Sequence, residues 1–193
     1  MARDSAATRA RILDAAIDEF SEHGLAGARI DRIAAASGAN KRSIYVYYES
    51  KELLFRAVMQ RAIAETVEAV PLTVDDLPGY AGRLFDHILA HPKAFRLELW
   101  LKLERPAVGA DEAAAAYAEK LATMTDAGGT AANGIAAADL LMLVIGLTRG
   151  WFLASDALLA AAGDDDGEAS PERVAAHRAA LVEAARRISA PLV

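Results

Sequence analysis

An all-α fold is predicted for this 193-residue chain by three observations. Apolar residues recur at i, i+3 and i+4 through most segments, the spacing that lines one face of a helix. Runs of alternating Val, Ile and Thr bounded by turn residues, the mark of strands, do not occur. Alanine, the strongest helix former, supplies much of the 54% apolar content. Because alanine buries little area per residue, Leu, Ile, Val and the aromatic residues must supply the core. With 25% charged residues the composition is that of a globular chain, long enough for one large or two small domains.

Arg3 to about Thr8 reads as an N-terminal arm, and Arg3, Arg9 and Arg11 are placed to touch a polyanion as the arm enters the first helix. In that helix Ile12, Ala15, Ala16 and Phe20 share one side, Asp14, Asp18 and Glu22 the other, and Gly24 ends it. Ile30, Ile33 and Ala34 give the next helix a buried face, with Asp31 in the first turn, where the helix dipole favours negative charge. Gly38 stops it, since glycine takes a left-handed conformation that other side chains resist. Asn40 suits an N-cap, its amide oxygen accepting from N–H groups that open the following helix. Two short helices across about four residues have the spacing of a helix-turn-helix.

On the second of these helices Ile44 and Tyr48 fall on one face, Arg42, Ser43, Val46 and Tyr47 on the other, with Lys41 and Tyr45 at the flank. The presented groups suit a DNA duplex: cations for phosphate or guanine, a hydroxyl donor, an apolar Val46 for a thymine methyl, and phenolic hydroxyls for phosphate. Ser50, as cap, and Glu52, in the first turn, then open a helix of about 20 residues carried by Leu54, Ala57, Val58 and Ala62 toward Pro71, long enough to bridge two domains. Beyond the break from Pro71 to Pro78, helices are predicted at about Gly79–Ala90, Pro92–Leu103, Asp111–Asp126, Ala136–Ala161 and Pro171–Ser189.

The net charge of −6 is unevenly spread. Residues 1–60 hold nine Lys or Arg against eight Asp or Glu, so the acidity belongs to the remainder, which is expected to face away from phosphate. The absence of cysteine excludes disulfides, thiolate metal sites and a cysteine nucleophile. The N-terminus lacks an apolar signal core, and the longest apolar run, Leu140 to Leu147, is far short of a membrane span, so a cytoplasmic location without membrane contact is expected. The acidic stretch Gly163 to Glu168 lacks the D-x-D-x-D-G order of a calcium loop, and Gly128-Gly129-Thr130 lacks the ending of a phosphate loop; both read as connections.

The order G-x-x-x-x-R-I-x-x-I-A-x-x-S-G-x-N-K-R-x-I-Y-x-Y-Y-x-S-K-E-x-L-F resembles the N-terminal domain of TetR-family transcriptional regulators over about Thr8 to Met59. The resemblance implies a three-helix helix-turn-helix DNA-binding domain, residues 1–50, with helices at about Ala7–His23, Ile30–Ser37 and Lys41–Tyr48. It also implies a C-terminal helical ligand-binding and dimerisation domain, residues 51–193. By that match Lys41, Arg42, Ser43, Tyr45 and Tyr47 stand where the family contacts DNA, Asn40 beside them, and Lys51 where it holds a phosphate. The chain departs from the pattern at Ala28 and Arg29, where a Thr or Ser usually opens the second helix; Arg29 is the residue expected to replace the hydroxyl contact. Tyr48 stands in place of Phe, and its hydroxyl must find a partner or solvent.

Leu140, Leu141, Leu143, Val144, Leu147, Trp151 and Phe152 cover more than one face of their helix, which calls for an interface as well as a core. With Val174, Leu181, Val182, Ala185 and Ile188 of the last helix they would form a four-helix homodimer interface, assigned chiefly to Leu140, Leu143, Val144, Leu147, Val174, Leu181 and Ile188. A small-molecule effector site is implied by the resemblance, and Phe85, Phe95, Trp100, Tyr117, Met124, Met142 and Trp151 are its candidate lining, with His87, His91, Glu98 and Arg149 as polar contacts. His87 and His91 at i, i+4 have no evident third ligand, so no metal is expected; no catalytic residue or cofactor motif is evident either. The expected mechanism is a homodimeric repressor that binds a palindromic double-stranded DNA operator and is released by an effector, with the fourth helix as lever. Its rivals are a helical enzyme using His87, His91 and Glu98, and an interaction protein with a non-functional helix-turn-helix.

Overall fold

The structure, a computed structural model, describes residues 2–104, 110–126, 134–161 and 169–190. Among these it forms α1 (Ala2–Gly27), α2 (Ile30–Ser37), α3 (Lys41–Tyr48), α4 (Lys51–Ala69), a 3-10 turn at Val74–Asp76, α5 (Leu77–Ala90), α6 (Pro92–Glu104), α7 (Ala110–Asp126), α8 (Ala137–Leu153), α9 (Asp156–Ala161) and α10 (Pro171–Ser189). The fold is all-α, as the periodicity predicts. The expected arm at residues 3–8 is instead the first turns of α1, in a stretch with no glycine or proline to oppose helix. The single helix expected over Ala136–Ala161 is two: Ala154 is extended (φ −62°, ψ 142°), and the Ser155 hydroxyl accepts from the Leu158 N–H to start α9. The stretches Gly163 to Glu168 and Gly128 to Thr130 lie outside the described residues.

The chain packs as two compact units, one of residues 1–68 and 90–117, the other of 69–89 and 118–193. Leu54, Phe55, Val58 and Met59 of α4 and Leu97 of α6 are fully buried in the same core as Ile12, Ala16, Phe20, Ile33 and Ile44, so α4 and α6 pack with the N-terminal helices. Phe20 meets Phe55 edge to face, centroids 5.2 Å apart, at the centre of this core.

The first unit is also tied by polar contacts at a break in α1. Gly24 has φ 67° and ψ −178°, a conformation open essentially to glycine alone. The N–H groups of Leu25 and Ala26 just beyond it donate to the Glu104 carboxylate at the end of α6, at 2.9 and 3.1 Å. One turn earlier on α6, the Trp100 indole N–H donates to the Ser21 carbonyl at 3.1 Å. α6 therefore caps the broken end of α1 from outside it.

In the second unit the fully buried Phe85 of α5 lies against Phe152 of α8 and His177 of α10, at centroid distances of 5.3 and 5.6 Å, and Trp151 meets His177 at 4.6 Å with the rings tilted by 43°. Arg178 grips the Asp86 carboxylate with two bonds of 2.7 and 2.8 Å. Among the described residues no helix is long and apolar enough to cross a membrane.

Candidate nucleic-acid interface

The turn between α2 and α3 is set by residues whose side chains have local duties. Gly38 is left-handed (φ 65°, ψ 16°) with no neighbour near the place of a Cβ, so only its backbone conformation requires glycine. Arg11 Nε donates to the Ser37 carbonyl at 3.2 Å, satisfying one of the carbonyls that end α2. Asn40 caps α3 as expected, its Oδ1 accepting from the Ser43 N–H at 2.7 Å. That bond engages the Asn40 oxygen in forming the helix.

The start of α2 depends on Glu19, whose carboxylate is only 8% exposed. It accepts from the Arg29 backbone N–H at 2.7 Å and from Arg32 Nε at 2.8 Å. Burial pushes the Glu19 carboxyl upward, but the Arg32 hydrogen bond, the Arg29 N–H and the Arg32 charge together outweigh it and leave the pKa below the ordinary value. Lys51, at the start of α4, donates to the carbonyls of Ala26 and Ala28 at 3.5 and 3.3 Å, so in the free chain its ammonium braces the same junction.

On α3, Ile44 is buried and fixes the helix to the core, while Arg42, Tyr45 and Val46 are exposed, Val46 by 71%. Arg42 and Val46 lie on the side of α3 away from Ile44, so the buried isoleucine turns that side outward. Tyr47 differs from its expected position on that face. It is half-buried against the core, its ring beneath the Arg9 guanidinium at 5.1 Å and 6.5 Å from the ring of Tyr48. The reason is angular: Tyr47 and Tyr48 follow Ile44 at i+3 and i+4, and both flank the buried stripe. The Tyr48 hydroxyl finds the Arg9 carbonyl at 3.4 Å, which answers the question raised by tyrosine at that position. Burial first of all holds its pKa above the ordinary value.

Lys41 carries an ion pair that the sequence reading did not include, its Nζ 2.7 Å from Asp31 Oδ1. The hydrogen bond to Asp31, then its charge, hold the Lys41 pKa above the ordinary value. Arg29 is exposed at the N-cap of α2 with an extended backbone. The structure thus gathers Arg29, Lys41, Arg42, Ser43 and Tyr45 on α2, α3 and the approach to them, leaves Arg29, Lys41, Arg42, Tyr45 and Val46 exposed, and engages Asn40 and Lys51 in backbone contacts. The partnerships of Glu19, Asp31 and Glu104 leave no mark in the sequence, because the partners are 10 or more residues away.

The residues proposed to line an effector site are not gathered into one unit. Phe95, Trp100 and Tyr117 belong to the first, Phe85, Met124, Met142 and Trp151 to the second, and Met142 is 63% exposed. Phe85 and Trp151 do meet, with Phe152 and His177, and His177 Nε2 is buried there without a hydrogen-bond partner. Burial, then the Arg173 charge, lower its pKa, which favours a neutral imidazole. Among the described residues no three His, Asp or Glu side chains come together in a way that could hold a metal ion.

Of the residues assigned to a dimer interface, Leu140, Val144 and Leu181 are buried within the chain's own second unit, where α8 packs on α10. These three side chains are already covered within one copy. Leu143 and Leu147 are exposed, and Val174 and Ile188 half-buried.

Residues 12–58 match the family model described as bacterial regulatory proteins, tetR family, and residues 76–187 that described as tetracyclin repressor-like, C-terminal domain. The HTH-type transcriptional repressor SCO4008 of Streptomyces coelicolor is 41% identical over 153 residues, which cover 77% of this chain and 80% of that protein. The HTH-type transcriptional repressor NicS of Pseudomonas putida is 37% identical over 93 residues, 45% of this chain and 44% of that protein. Among solved structures, SCO4942 of Streptomyces coelicolor, assigned as a transcriptional regulator, superposes with a TM-score of 0.78 at 40% identity, over 94% of this chain and 97% of that one. Fold, presented helix and relatives define a helix-turn-helix transcriptional regulator rather than an enzyme. The chain belongs to the TetR family.

Proposed function

We propose that this protein is a repressor that binds a palindromic operator as a homodimer and leaves it when a small molecule binds its C-terminal part. The observation that carries the DNA-reading half is the exposure of Arg42, Tyr45 and Val46 on a helix whose opposite face is fixed by the buried Ile44. Residues 1–50, with Lys51 at the start of α4, read the duplex in this proposal. Arg42 and Tyr45 contact it first, Lys41, Ser43 and Tyr47 beside them, with Arg29, Lys51 and Asn40 toward the phosphates. Residues 51–193 bind the effector and pair the chains. The repressor names of SCO4008 and NicS support the sign of the regulation.

A second copy is needed because one recognition helix spans only one half-site, and half-sites lie about one turn of DNA apart. The exposed stripe of α8, Met142, Leu143, Leu147 and Leu153, interrupted by the open Gly146 and Gly150, supports α8 as the pairing helix. The aromatic group of Phe85, Trp151, Phe152 and His177 supports an effector with an apolar body. Release is then a population shift, in which ~5.5 kcal/mol of preference for the non-binding spacing takes the balance from about 1:99 to about 99:1. α4 is the proposed lever, and the bonds from Trp100 and Glu104 to α1 support α6 as a second route.

Mobility shift on the chain's own upstream region, titrated in salt, tests the reading. Arg42→Ala should weaken operator binding by about tenfold and Tyr45→Phe by less, with the operator released on adding cell extract that contains the effector. Operator affinity unchanged in both variants across the titration would refute the assignment.

A further inference from the structure

We propose that Asp31 sets the specificity of the duplex-facing surface by restraining Lys41, so that sequence-independent phosphate binding is held down. The inference rests on the reading of α2 and α3 as that surface. Asp31 lies in the first turn of α2, 76% exposed, and its carboxylate holds the ammonium of Lys41, the first residue of α3 and itself half in solvent.

An ion pair this open contributes little to folding. The contrast is Glu19 of α1 with Arg32 of α2, where the carboxylate is buried and anchors the backbone at Arg29. The Asp31 pair has no such anchoring role, and its place beside the presented Arg42 gives it another one. A phosphate that approaches Lys41 must either displace the carboxylate or settle next to it, and a carboxylate can only accept hydrogen bonds. On a random duplex, where backbone charge supplies nearly all the affinity, one cation is thereby neutralised. On the operator, base contacts from Arg42, Tyr45 and Val46 fix the register and offset that loss. The carboxylate thus lowers affinity for random duplex more than affinity for operator, which widens the ratio between them.

The test compares wild type, Asp31→Asn, Lys41→Met and the double variant on the upstream fragment and on a random duplex of equal length, by anisotropy across a salt titration. Asp31→Asn should bind the random duplex about three- to tenfold more tightly at low salt, with the slope of log K against log salt steeper by about 0.9, one phosphate. Lys41→Met should abolish that gain. Affinity for the upstream fragment should rise by less. Random-duplex affinity unchanged in Asp31→Asn overturns the proposal, as does an equal gain on both duplexes, and so does a gain that persists in the double variant, since the carboxylate would then act without Lys41. Failure of wild type and every variant to bind either duplex at low salt would instead remove the duplex-reading surface on which the inference stands. Asp31→Asn gives up a favourable charge at the start of α2, so its thermal midpoint should fall only slightly, and a tighter grip on random duplex by a slightly less stable chain separates a binding effect from a folding one.

Discussion

Glu19 shows how one carboxylate far from the presented face controls it. Its two oxygens hold the Arg29 N–H that opens α2 and the Arg32 side chain one turn on, so the angle between α1 and α2 depends on its charge. Glu19→Gln keeps the shape and removes the charge, and should cost about 2 kcal/mol in urea unfolding near pH 7. Because the folded pKa lies below the ordinary value, the stabilisation is fully present above the ordinary glutamate range and is lost as pH falls through the folded pKa. The gap between wild type and Glu19→Gln should therefore close in acid; a gap that stays constant into strong acid would assign the bond to something other than ionisation. Glu19 is legible in the sequence as a polar residue beside Phe20, but its partnership is not. Periodicity assigns a residue to a face of its own helix and is silent about what that face meets.

At the scale of elements, two glycines with similar φ have different reasons to be glycine. Gly38 stands in open space, so Gly38→Ala meets only the penalty for a left-handed alanine, about 1 kcal/mol. At Gly24 a Cβ would also collide with the Trp100 ring and the Glu104 carboxylate, and Gly24→Ala should cost roughly twice as much or more by thermal unfolding. Equal losses would mean that α6 does not press on α1 at this point. Glu104→Ala leaves the N–H groups of Leu25 and Ala26 without their acceptor. It should lower stability by about 1 kcal/mol and speed amide exchange at those two residues above the rest of α1, which exchange measurements can read directly. Both glycines are visible as helix stops in the sequence. That α6 supplies the cap for one of them is not, because 78 residues separate Glu104 from Ala26.

For the whole molecule the decisive quantity is the number of copies. α8 buries Leu140, Val144 and Thr148 within its own unit and leaves Met142, Leu143, Leu147 and Leu153 in solvent. Such a stripe is costly to expose, and in the proposed pairing it meets its own copy across a two-fold axis. Wild type should sediment as a dimer. Leu143→Glu should sediment as a monomer with unchanged helical circular dichroism, and its operator affinity should fall by at least about tenfold, because half-sites would be occupied singly. A monomeric wild type that binds the operator fully would remove pairing from the mechanism. The sequence marked α8 as too apolar for one face, which is correct, but counted buried and exposed leucines alike as interface. Only packing against α10 separates them.

What the sequence determined by itself was the helical class, the stops at Gly24 and Gly38, the caps at Asn40 and Ser50, and the buried Ile44 that turns Arg42 and Val46 outward. These are local matters: helix period, backbone conformation and cap chemistry act over three or four residues. The tertiary structure alone decided which residues α6 and α4 share a core with, that Tyr47 leans inward under Arg9, that Lys51 braces the α1–α2 junction and that Lys41 answers to Asp31. Those outcomes depend on where separate helices meet, and a contact between distant segments leaves no period in the chain to read.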